Sequence, residues 1–208
     1  MTAPSDSAHA VHRPPVAVPE DDTVFRLAQL VLLLNVVAEF HPDGVELERL
    51  GAYDFIAANP LLMASSDDDP DRFELLMAGF DDRALSYASA AQRFATRRER
   101  LKHDLALLLA YDLAITAVRG HVLYRLTDAG VDMARRFTAM YARSYTTAAT
   151  IVVRRLRKVR PGPLRERVTE WTRQPSGPHR IDLADLFVEP EELHEADAFG
   201  EDRVGRSS

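Results

Sequence analysis

Three observations in this sequence of 208 residues predict a mainly α-helical fold with a small β-hairpin: a winged-helix module followed by long C-terminal helices. Apolar residues, 46% of the chain, recur mostly at helical spacing. Two β-prone runs, Leu113–Val118 and Val122–Leu126, flank Arg119-Gly120-His121, a glycine-bearing connection that makes a hairpin. The order is helix, short hairpin, capped helix, in which a winged helix sets a groove-entering helix beside its wing.

Element by element, residues 1–22 are rich in Pro, Ala and Ser without periodicity and read as a disordered leader. Asp22-Thr23 caps a helix from about Val24 that is apolar nearly all round, which places it in the middle of a bundle or in an interface. Its most apolar run, Leu27–Ala38, is 12 residues, short of the roughly 20 a membrane span needs. His41-Pro42-Asp43-Gly44 is a turn, and Glu46–Ala58 a second helix that stops before Pro60. Residues 60–96 form an inserted acidic and helical segment. In it Asp69-Pro70 reads as a cap and first helical position, and a weakly patterned helical stretch runs from Asp82 to Phe94. Leu101, Leu105, Leu108 and Leu109 define a helix over Thr96–Tyr111 that leads into the hairpin, and Thr127 caps the next helix. That helix is expected to run unbroken from Val131 to Val159, with Ala134, Phe137, Tyr141, Tyr145, Ala148, Val152, Leu156 and Val159 as its stripe. Pro161-Gly162-Pro163 ends it, and a short amphipathic helix covers Leu164–Arg173. The domains are therefore the leader (1–22), a winged helix (23–130), the long and short helices (131–173) and an acidic flexible tail (174–208). The tail holds one apolar cluster, Ile181, Leu183, Leu186 and Phe187.

The formal charge of −6 hides a segregation: residues 1–96 carry net −10, residues 97–173 net +10 and residues 174–208 net −6. The positive block reads either as a surface for an anionic partner, nucleic acid or acidic protein, or as one docked on the chain's own acidic part. With no cysteine there is no disulfide or thiolate site, which suits a reducing cytoplasm. The seven histidines fall at no metal-ligand spacing, and phosphate-loop, dinucleotide and nucleophile-elbow motifs are absent. The expectation is a soluble, cytoplasmic, non-catalytic protein with no cofactor, no metal and no membrane segment.

Candidate DNA- or partner-binding residues are Arg97, Arg98, Arg100 and Lys102 at the start of the groove-entering helix, Arg119 and His121 at the wing tip, and Arg154, Arg155 and Lys158 on the long helix. Arg97, Arg98 and Lys102 are expected to face solvent. Phe137, Tyr141, Tyr145, Val152 and Leu156 are candidate interface residues, buried against a second subunit or against the first helix. Glu99 and Asp104 dilute the helix charge, and the wing is short, which favours docking to protein with DNA as a secondary ligand.

Four landmarks carry a family resemblance over residues 24–173: LERLGAYDF at 47–55, RRERLKHDLALLL at 97–109, Tyr124-Arg125-Leu126-Thr127 after the hairpin with Tyr141-Ala142-Arg143 beyond it, and LRERVTEW at 164–171. In order and spacing they resemble the middle component of the ABC-three-component systems, bacterial proteins that act with an SMC/Rad50-like ATPase and an effector against phage or plasmids. Where that family carries glycine before the hairpin, this chain has Asp112. The resemblance implies adaptor work and no catalytic residues. The other reading is a stand-alone winged-helix transcriptional regulator, dimerised through the 131–159 helix.

Overall fold

The computed structural model describes residues 22–81 and 89–173. Among them are seven α-helices and a small sheet: α1 Thr23–Phe40, β1 Val45–Glu46, α2 Leu47–Ala58, α3 Arg72–Met77, α4 Ala90–Ala110, β2 Ala114–Arg119, β3 His121–Leu126, α5 Asp128–Arg136, α6 Met140–Leu156 and α7 Pro161–Arg173. The expected leader before Asp22, the start of a helix at Asp82 and the tail 174–208 with its apolar cluster lie outside the described residues.

Asp22 opens α1 by accepting hydrogen bonds from the backbone N–H of Val24 at 2.8 Å and Phe25 at 3.4 Å. The helix runs 18 residues, longer than its apolar run suggested, and by length and composition alone it could cross a membrane. Here it is packed against α4, α5, α6 and β3, with Leu30–Leu34, Val36 and Val37 buried. An all-apolar helix needs cover on every side, and those elements supply it.

Sequence periodicity missed β1, whose two residues are too few to show alternation. It pairs antiparallel with β3 (Val45 opposite Tyr124, Glu46 opposite Leu123), giving the order β1-β3-β2. The turn that feeds it depends on Gly44, at φ +106°, where an added Cβ would stand 2.9 Å from the Tyr124 carbonyl oxygen. The expected hairpin is formed, with Val118 opposite Val122 and Arg119 opposite His121.

α4 starts earlier than the leucine row indicated, because Ser89 caps it by accepting from Gln92 N–H at 3.2 Å. It ends in a Schellman motif: Leu113 N–H bonds to Leu108 O at 2.9 Å and Asp112 N–H to Leu109 O at 3.1 Å. Asp112 sits at φ +55° in the left-handed position usually taken by glycine. Thr127 locks the next junction by donating to Asp112 O at 2.7 Å and capping Gly130 N–H at 3.1 Å.

The unbroken helix expected over 131–159 is instead α5 and α6, separated at residues 137–139. Phe137 is extended (φ −77°, ψ 94°) and Ala139 is extended as the residue before α6. α5 packs on α1 and β3, whereas α6 crosses α1 and α2, and one straight rod could not do both. Nor does Pro161-Gly162-Pro163 terminate a helix. Pro161 is the first residue of α7, a position where its missing N–H costs no hydrogen bond. α6 and α7 are not appendages: Tyr145, Val152, Leu156, Leu164 and Val168 belong to the same buried cluster as α1 and α2.

Candidate partner-docking site

Part of the positive block is held by the acidic half of its own chain. Arg97, expected at the surface, is turned inward: Nε and Nη2 donate to the two Asp54 carboxylate oxygens at 3.0 Å each, and Nη2 also to Gln29 Oε1 at 3.0 Å. The two charged side chains are 13% and 10% exposed. Burial works to lower the Arg97 pKa, and the facing Asp54 carboxylate overrides it and raises it, so the guanidinium stays charged. A second pair lies beside it: Arg26 donates to Asp104 at 2.9 and 3.0 Å, again with both groups nearly buried. Asp104 therefore does not dilute a surface charge; it ties α4 to α1, as Asp54 and Arg97 tie α2 to α4. A cavity of about 20 Å³, room for roughly one water, lies among these four residues, Arg100 and two leucines.

The remaining candidates do not gather into one patch. Arg98 meets Glu48 of α2 in an exposed pair, and Arg119 meets Asp43 at 2.8 Å, also exposed. Arg154 pairs with Asp71, and Arg155 with Asp69 at 2.9 Å and Asp71 at 3.3 Å. Asp69 and Asp71 are only 11% and 15% exposed, so this part of the acidic loop is clamped onto α6 rather than solvated. Lys102, His121 and Lys158 are exposed, with no charged partner among the described residues.

Of the candidate interface residues, Tyr145, Val152 and Leu156 are at most 1% exposed inside the chain's own core, out of reach of a second subunit. They pack where α6 crosses α1 and α2, the intramolecular form of the expectation. Burial raises the Tyr145 pKa well above its usual value, and among the described residues its hydroxyl has no hydrogen-bond partner. Tyr141 is 47% exposed, tilted against Phe25 at 5.0 Å, with its hydroxyl accepting from Gln29. Phe137 is half-buried at the elbow between α5 and α6.

Sequence reading missed Gln29, Asp54 and Arg49. Arg49 reaches from α2 to cap the end of α6, donating to Leu156 O at 3.1 Å, Val159 O at 2.7 Å and the Tyr53 hydroxyl at 3.3 Å. The available signal was register. Asp54 lies in the run Tyr53–Ala57, and Asp104 falls on the row of Leu101, Leu105 and Leu108, and a charge at a core position requires an opposite one. Among the described residues no group of His, Asp and Glu converges as a metal site. Comparison with known protein families, curated proteins and solved structures returns no match.

Proposed function

We propose that this chain is a non-catalytic winged-helix adaptor in an ABC-three-component system, joining an SMC/Rad50-like ATPase and an effector in the cytoplasm, with DNA as a secondary ligand. The order α1-β1-α2-α4-β2-β3, the sheet order β1-β3-β2 and the capped helix after the wing support the winged-helix identity. The family landmarks support the partners. One observation favours protein docking over DNA reading: in the middle of α4, Arg97 is committed to Asp54 with both side chains nearly buried, and Arg98 faces Glu48 in an exposed pair. Phosphate contacts need cations free to displace counterions, and a helix that spends them internally is poorly equipped to bind the groove.

The test is co-purification of the full chain with an SMC/Rad50-like ATPase from the same organism, with and without duplex DNA. The adaptor reading expects a complex that forms without DNA and recruits DNA only when the ATPase is present. A chain that ignores the ATPase and forms a dimer selecting one operator sequence is a transcriptional regulator instead.

A further inference from the structure

The break between α5 and α6 opens a cleft of about 330 Å³ against α1. Its floor is apolar, with Leu32 and Ala142 buried and Phe137 half-buried; Arg135 and Arg143 are its charged residues, and no acidic side chain lines it. Arg143 is exposed and makes no ion pair or side-chain hydrogen bond among the described residues. Among the described residues Arg135 is tied only to Asp132, one turn away at 3.2 Å with both groups exposed, a weak pair that a ligand carboxylate can replace. Asn35 also lines the cleft, half-buried, with no side-chain hydrogen bond among the described residues. An amide in that position is poised to bind a polar group entering with a ligand.

We infer that this cleft docks an acidic amphipathic helix of a protein partner. An apolar side chain on one face of that helix enters the cleft against Phe137, its carboxylates meet Arg135 and Arg143, and Asn35 takes a polar group at the edge. Charge complementarity selects this occupant: the rim is cationic, and the apolar lining offers nothing to a phosphate. A duplex presents no apolar face for such a cleft to bury. The inference deepens the adaptor reading by naming the surface that takes a partner.

The test uses the full chain and labelled amphipathic peptides of roughly 18 residues, about five helical turns, with leucine on one face and either Glu or Lys on the other. Fluorescence anisotropy should show the Glu peptide bound and the Lys peptide not. Arg143→Glu, at an exposed position that leaves the fold intact, should weaken the Glu peptide by about tenfold or more and admit the Lys peptide, because reversal turns attraction into repulsion. Thr146→Trp, which fills the cleft from α6, should abolish binding of the Glu peptide, with circular dichroism confirming the fold. Equal binding of both peptides, or indifference to both substitutions, overturns the inference. So does a concentration-dependent dimer that Arg143→Glu dissolves, since the occupant is then a second copy. The adaptor reading fails separately: if the wild-type chain binds the Glu peptide but never the ATPase or effector, the cleft stands and the adaptor does not. If both variants still capture those partners but wild type ignores the Glu peptide, the adaptor stands and the cleft does not.

Discussion

Arg97 and Asp54 hold opposite charges across the α2–α4 contact with both side chains almost out of water, and removing either strands the other. A stranded buried charge is far costlier than the net benefit of the intact pair, because its desolvation is no longer offset. Arg97→Gln and Asp54→Asn should each lose about 3–5 kcal/mol of unfolding free energy, and the double variant should lose clearly less than the two added together. Urea unfolding of the four proteins measures this; additive losses would mean that the two side chains do not meet. Sequence reading placed Arg97 at the surface because three cations in four residues resemble a solvated face, and helical register against α2 was not resolved. His41 carries a pH dependence of its own. Burial first, then the nearby Arg49 and Arg157 guanidiniums, lowers its pKa below 6.5, and Nε2 lies 3.1 Å from the Tyr53 hydroxyl. The folded state therefore takes up a proton less readily than the unfolded chain. Its contribution is fully present above pH 6.5 and is lost as pH falls below that value. Melting temperature should decline on acidification from pH 6.5, and less steeply in His41→Gln. Identical profiles for the two proteins would remove His41 as the cause.

Elements were legible where apolar rows were long and caps explicit: Asp22 before α1, Thr127 before α5 and the leucine row of α4 all stand in the structure. The α5–α6 break had no such signal, since residues 137–139, Phe-Thr-Ala, contain neither proline nor glycine. The stripe from Ala134 to Val159 merges two separate buried rows, and Tyr141, 47% exposed in its middle, shows where they fail to join. What divides the helix is the need to cover the β3 side of α1 with α5 and the α2 side with α6, a tertiary demand that no local pattern records. The end of α4 offers a converse case. Asp112 replaces the glycine typical of the resembled family yet keeps the left-handed backbone, at φ +55°. A non-glycine residue pays roughly 1–2 kcal/mol there, while glycine forfeits roughly 0.5–1 kcal/mol through the unfolded chain. Asp112→Gly should raise stability by up to about 1 kcal/mol in thermal unfolding. A destabilised variant would mean that the aspartate side chain has a role beyond tolerating the turn.

At the scale of the molecule, part of the segregated charge resolves within the chain. Arg97–Asp54, Arg98–Glu48, Arg119–Asp43 and the Arg154 and Arg155 pairs with Asp69 and Asp71 set five cations of the positive block against carboxylates of the acidic half, and Arg26–Asp104 joins the same two segments with the charges reversed. The sequence allowed both an anionic partner and this self-docking, because a charge total does not say which residues meet. Cations without an ion pair among the described residues remain, notably Arg157, Lys158 and Arg160 between α6 and α7, enough for weak attraction to a polyanion. The most direct test of the adaptor account is therefore the affinity of the isolated full chain for duplex DNA across a salt series, using several unrelated sequences. The account predicts binding no tighter than about 10⁻⁶ M at physiological salt, indifferent to sequence and fading as salt rises. Binding of one sequence at about 10⁻⁸ M or tighter, with unrelated duplexes left behind, would contradict it and make the chain a sequence-specific regulator.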